Sequence, residues 1–465
     1  MEAVVQIVSR EIIKPAPNCR TKLKEYDDHQ KTFKVSFMDM LSPECYIPIT
    51  FFYPNTHYFN NKEETSFRLK LSLSKTLAQF PILATKIKDN LIHHSFDDDD
   101  DDDIIGSLFV EANIKMSLDE FLKSPNLNLL NEFLPFPFIP NQVEEPRQIG
   151  VQVNFFTCGG IGIGVSLLHT LIDGTTMSSF IKCWAKFCED QEDYYEGKFC
   201  GGDYSLTCSL FPYREVSNGY RLISSETPFV VEKGKKSTTR RFVFDEMAIS
   251  KLKDKAKSTR VCNPTTVEVA TCFIWKYAMK AASGCKLFDP WQSVLVHTVN
   301  MRKRITHPPL SENNIGNLFW RSCAYFKSLP NKDINLADLQ ITVRQSISEV
   351  NNNNFFQQAI ASQCTTLLSS LQRLHQLYAK SSESYLFTSW RNMGFNGVDF
   401  GWGKPLWVAG GGNVFDSITR NLVILMDTVV GNGVEAWVVL DDVTMKLLEN
   451  DYEFLEFASL NPSIC

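Results

Sequence analysis

The stretch from Val151 to Cys188 leaves this chain the least freedom. VQVNFFT and IGIGVSLLH read as two strand runs around Cys158-Gly159-Gly160. In the second run Ile161, Ile163, Val165 and Leu167 alternate with Gly162, Gly164 and Ser166, which is the period of a strand. One face is bulky and the other small, so something approaches the small face closely. Beyond a short turn, Met177, Phe180, Ile181, Trp184, Phe187 and Cys188 fall on one face of a helix. Thr175 or Thr176 is placed to cap its start. His169 therefore closes a strand, and Asp173 and Gly174 occupy the turn that leads into a helix.

The same alternation of strand and helix patterns runs along the rest of the chain. Cys45–Pro54, Ser293–Arg302, Asn421–Thr428 and Gly433–Leu440 read as strands, the last two as a pair. Ser66–Phe80, Thr265–Ala282 and Ala337–Val350 read as helices, and RRFVFDEMAISKLKDKA as a strand followed by a helix. The segment from Glu189 to Lys236 is weakly patterned and reads as a crossover. A length of 465 residues exceeds one ordinary core, so two or three domains are expected.

Composition excludes several classes of function. Asp97–Asp103 carries seven of the acidic charges behind a net charge of −6, so the rest of the chain nets +1. That run suits a solvated hairpin loop rather than a metal site, because contiguous like charges repel. No basic cluster could track a phosphate backbone, so no nucleic-acid partner is expected. No apolar run is long enough to span a membrane, and the N-terminus lacks a signal-peptide core. Thirteen scattered cysteines without C-x-x-C fit reduced thiols in a cytosol better than a disulfide framework or zinc site.

On the residues alone, His169 is evenly balanced between a satisfied core histidine and a working group. Its place at a strand end, the small face beside it, and the carboxylate that follows favour the second reading. Other motifs fail. GIGVS lacks the closing glycine of a nucleophile elbow, and GGIGIG has the wrong spacing for a dinucleotide loop. Thr388–Val408 is dense in aromatic residues and glycine and reads as a tight buried loop, with Gly401 and Gly403 as turn residues and Phe400 and Trp402 as anchors.

H-T-L-I-D-G (His169–Gly174) together with D-F-G-W-G (Asp399–Gly403) resembles the BAHD family of acyl-CoA-dependent acyltransferases, and the likeness runs nearly end to end. The residues around DFGWG are most similar to a branch that acetylates alkaloids. The resemblance implies an α/β fold of two chloramphenicol-acetyltransferase-like domains. Each is a mixed β-sheet with flanking helices, and the active-site channel lies at their interface. Residues 1–200 would form the N-terminal domain, 201–236 the crossover and 237–465 the C-terminal domain. It also implies a cytoplasmic monomer with no metal and no permanently bound cofactor. Acyl-CoA, acetyl-CoA first, is the co-substrate, and a small-molecule alcohol is the acceptor.

By the same resemblance His169 is the general base, and Thr388 and Trp390 donate to the oxyanion. Asp173 turns away to pair with Arg302 and fixes the turn through Gly174. Asp399 holds its loop with Gly401, Trp402 and Gly403; a catalytic role for Asp399 is the weaker alternative. PILATK (Pro81–Lys86) and Trp390-Arg391-Asn392 depart from the family's usual residues. NIGNL (Asn314–Leu318) replaces the motif of the malonyl-transferring branch. Acetyl is therefore the expected donor, with malonyl the rival should Arg391 or Arg420 face the acyl group. Further rivals are a branched donor, a terpenoid or acylsugar acceptor, and a non-catalytic binding protein on the same fold.

Overall fold

The computed structural model describes residues 4–17, 32–55, 61–93, 104–189, 201–284, 291–327, 333–416 and 418–464. The Asp97–Asp103 run lies outside the described residues.

Two mixed sheets organise the chain. The first has six strands in the order Val5–Ile13, Ser107–Ile114, Ile149–Phe156, Ile161–Leu168, Tyr46–Tyr53, Trp407–Ala409. The second has seven: Phe319–Lys327, Gln292–Asn300, Glu383–Ser389, Leu422–Asp427, Val434–Asp441, Ser237–Phe244, Ser459–Leu460. Both contain parallel and antiparallel pairs. The short strand Trp407–Ala409 comes from the second half of the chain yet pairs with Tyr46–Tyr53 of the first sheet. It crosses the boundary expected at residue 237 and ties the two sheets together. One cluster spans both sheets, in which Leu69, Val165 and Trp184 pack with Val294, Leu386 and Ile424, while a second, with Trp275, Leu295 and Val438, belongs to the second sheet alone.

The strand–turn–helix stretch forms as its periodicity requires, with helix Gly174–Glu189 after strand Ile161–Leu168. Two expectations there need correction. Neither threonine caps the helix; Asp173 does, its Oδ1 accepting the backbone N–H of Thr176 at 2.8 Å. The small face of the strand is not open either. A Cβ on Gly164 would stand 1.9 Å from the carbonyl oxygen of Phe133, so the protein's own backbone fills that space. The glycines are explained by packing, and they carry no hint of a ligand.

Elsewhere the differences are at element ends. The first long helix begins at Lys62 rather than Ser66, because Asn61 caps it through Glu63 N–H and its first turn is mostly polar. The crossover holds a short helix, Ser205–Leu210, that buries Thr207 and Leu210. Among the described residues, no helix is long and apolar enough to cross a membrane.

Candidate active site

His169 stands where the chain leaves strand Ile161–Leu168, its N–H donating to the carbonyl of Cys45 at 2.8 Å. It faces a cavity whose walls come from both sheets. Cys45, Ile47, Asp173 and Gly174 contribute from one side; Thr298, Asn300, Thr388 and Trp390 from the other. Phe138, Leu222, Leu386, Phe415 and Ile424 make the remainder largely apolar. Among the described residues, no lysine or arginine lines it. A cleft that is mostly apolar, with a few convergent polar groups, fits a small molecule.

The surroundings of His169 assign its tautomer. Nδ1 lies 2.9 Å from Oδ1 of Asn317. The Asn317 Nδ2 faces three acceptors: Asp39 Oδ1 at 2.8 Å and the carbonyls of His169 and Thr170 at 2.8 and 3.0 Å. Flipping the amide would set an oxygen against three oxygens, so the network assigns Oδ1 to the imidazole. Nδ1 then carries the proton, and Nε2 keeps its lone pair. Burial pushes the imidazole below its ordinary 6.5; its own carbonyl, the Asp173 charge and the Asn317 contact only partly oppose this. An imidazole that served as a base would work deprotonated. Activity should therefore fall as pH drops through a midpoint below 6.5, read as the acid limb of kcat/KM. A limb centred above 6.5 would contradict it.

Asp173 is turned from the reacting space. Its Oδ2 accepts from Arg302 Nη1 at 2.7 Å and Leu318 N–H at 3.1 Å, and its Oδ1 accepts from Arg302 Nη2 at 3.2 Å. Arg302 continues to the carbonyls of Asn314 and Gly316 at 2.8 and 3.2 Å. The pair is buried, and it clamps the loop that carries Asn317. Gly174 begins the helix where Met393 closes in; a Cβ there would meet the Met393 methyl at 2.7 Å.

The second stretch divides in two. Thr388 and Trp390 line the cavity. The Thr388 oxygen accepts from Thr298 at 2.9 Å, which leaves its own hydrogen to donate elsewhere. Asp399, Gly401, Trp402 and Gly403 do not line it. Asp399 Oδ1 accepts the N–H groups of Gly401 and Gly403, each at 2.8 Å. Both glycines have φ near +99°, where a side chain would be strained. Trp402 stacks on Phe400, with centroids 5.5 Å apart. Arg391 turns away to Asp427 at 3.2 Å and the Gly433 carbonyl, and Arg420 pairs with Glu383 at 2.7 Å.

Sequence reasoning missed Asn317 and Asp39. Asn317 stood in view inside NIGNL, but it lies 148 residues from His169, and no periodicity links positions so far apart.

A family model described as the transferase family matches residues 3–455. The chain belongs to the BAHD acyltransferase family. Akuammiline synthase 2 of Alstonia scholaris is 33% identical to it, covering 99% of this chain and 98% of the relative. Limonoid 7-O-acetyltransferase of Citrus sinensis is 35% identical, with 98% of each chain covered. Among solved structures, vinorine synthase superposes with a TM-score of 0.76 at 29% identity, with 98% of each chain covered. The fold is shared more widely: F. sporotrichioides TRI101, complexed with coenzyme A and T-2, matches at a TM-score of 0.65 and 18% identity, over 93% of this chain and 100% of that one. BAHD enzymes use acyl-CoA as co-substrate, and this chain is an acyltransferase of that family.

Proposed function

We propose that this BAHD enzyme transfers an acetyl group from acetyl-CoA to a hydroxyl of a polycyclic plant alkaloid, with His169 as general base. The observation that carries the reading is the imidazole itself, tied at Nδ1 and lining a cavity that Thr388 and Trp390 also line. Nε2 takes the proton of the acceptor hydroxyl as its oxygen attacks the thioester carbonyl. The oxyanion that forms receives the Thr388 hydroxyl and the Trp390 indole N–H. Collapse breaks the carbon–sulfur bond, and the CoA thiolate recovers the proton from Nε2. No acyl-enzyme forms. Asp173 and Arg302 hold the turn, Asp399 its own loop. The enzyme acts as a cytosolic monomer with an N-terminal domain over 1–200, completed by strand Trp407–Ala409, and a C-terminal domain over the rest of 237–465.

Two observations support acetyl over malonyl. A malonyl carboxylate needs a cationic partner when buried, and among the described residues no arginine or lysine lines the cavity. Arg391 and Arg420 are engaged with Asp427 and Glu383. A charge-assisted contact to malonyl would favour it about 10–150-fold, and this cavity offers none. With acetyl-CoA and malonyl-CoA at equal concentration and a panel of alkaloid alcohols, mass detection should find acetyl esters in large excess. Predominant malonyl ester would overturn the donor assignment. A limonoid-like acceptor is the second reading, because limonoid 7-O-acetyltransferase is 35% identical to this chain; the same panel, extended to neutral terpenoid alcohols, decides between them.

A further inference from the structure

We propose that Asp39 is a positioning residue for His169, acting through Asn317 to hold the imidazole in its Nδ1–H form with Nε2 free. The proposal rests on the base role assigned to His169.

Asp39 lies in the short helix Phe37–Met40 and is buried. Its Oδ1 accepts both the backbone and the side-chain N–H of Asn317, each at 2.8 Å. Its Oδ2 accepts the hydroxyls of Tyr204 at 2.6 Å and Ser36 at 2.5 Å. The Tyr204 oxygen is itself held by Ser36 N–H at 2.8 Å. No lysine or arginine pairs with Asp39 among the described residues. A buried carboxylate without a cation is costly, and an apolar side chain of similar size would often be neutral or stabilising in its place. A chain that needed only packing here would gain by losing this charge.

The geometry points to what the charge does. An amide held only by the carbonyls of His169 and Thr170 would have two neutral acceptors to decide its orientation. The Asp39 oxygen adds a third acceptor; burial pushes this carboxyl up and the hydrogen bonds from Ser36, Tyr204 and Asn317 oppose that, and as a carboxylate it is the strongest of the three. It grips the Asn317 backbone as well, so the side chain cannot turn by shifting the loop. That loop turns at Gly316, with φ of +116°, and its other end is clamped by Arg302 on Asp173. Asp39, Tyr204 and Asn317 come from the first half, the crossover and the second half of the chain. The base therefore takes its working tautomer only when all three parts are docked.

The test uses nitrogen-15 spectra of the imidazoles in the full-length protein, with His169 assigned by its loss in His169→Ala. In the wild type, His169 should show a protonated Nδ1 and an unprotonated Nε2 at neutral pH; the reverse pattern overturns the proposal. Asp39→Leu should lower kcat about 100-fold, as a misplaced catalytic group does, while the KM for acetyl-CoA stays within about twofold. Its His169 signal should become a mixture of tautomers. Asp39→Asn keeps one acceptor for Asn317 and should recover part of the loss, to about tenfold below wild type. Should Asp39→Leu not fold, Asp39→Asn alone decides: an unchanged His169 spectrum with an unchanged kcat sinks the proposal. The two readings fail separately. An active His169→Ala removes the base role whatever the spectra show, whereas a normal spectrum in the Asp39 variants removes only the role of Asp39.

Discussion

His169→Ala lowers kcat by at least about 100-fold while the variant folds and still binds CoA. The size follows from what is removed. An alcohol is a poor nucleophile at neutral pH, and a positioned base contributes about 10²–10⁴-fold. Among the described residues no other imidazole, and no carboxylate free of a partner, lines the cavity to take over: Asp173 is the one carboxylate there, and Arg302, Leu318 N–H and Thr176 N–H occupy it. The fold should survive because His169 is only half-buried and anchors the chain mainly through its backbone, by the bond to the Cys45 carbonyl. Binding of CoA should survive because the loss is of a transition-state contact, which lowers kcat without weakening the ground state. The measurement is kcat with acetyl-CoA and the true acceptor, beside a circular-dichroism melt and a CoA titration. More than about a tenth of wild-type kcat would remove His169 as the base.

The strand, turn and helix around His169 were legible because each obeys a local rule. Alternating residues 161–167 form a strand, and the stripe through Phe180 and Trp184 a helix. What failed there was the reading of detail. The glycine face is one that something approaches closely, as its pattern implies, but what approaches is the protein's own Phe133 carbonyl rather than a ligand. The threonines were read as caps, although Asp173 does that work with the same carboxylate that grips Arg302. A single-sequence reading assigns each residue one role, and Asp173 has three: cap, ion pair and anchor for Leu318.

The parts of the site that lie far apart along the chain were readable only through the family likeness. Arg302 was placed opposite Asp173 in that way, and the geometry brings them within 2.7 Å. Arg391 beside Trp390 looked like a threat to the acetyl assignment, and its sequence position could not show that Asp427 draws it outward. Asp39 and Asn317 had no signal at all. Each is one polar residue in an ordinary context, and their meaning arises only when a helix near residue 39 meets a loop 278 residues later.

The buried pair yields the second large effect. Asp173→Asn and Arg302→Ala should each cut kcat by about 100-fold, since either frees the loop that carries Asn317 and so displaces His169. Each should also destabilise the fold by about 3–5 kcal/mol, because one partner is left charged or cut away inside a buried pair. The Asp173 change removes the counter-charge and strands a guanidinium on neutral acceptors, the Asn314 and Gly316 carbonyls, the Thr176 hydroxyl and at most the one amide oxygen left at 173. The Arg302 change leaves a carboxylate with two backbone donors, Thr176 and Leu318. That asymmetry predicts an order. Arg302→Ala keeps the helix cap and the Leu318 contact, so it should be the milder in stability, while both should be alike in kcat because both release the same loop. The double variant should then be little worse than Asp173→Asn alone, as residues in one interaction are not additive. Denaturant midpoints give the stability arm and steady-state kinetics the other. Losses in kcat that simply multiply would mean the two residues act separately, and the clamp on the Asn317 loop would have to be abandoned.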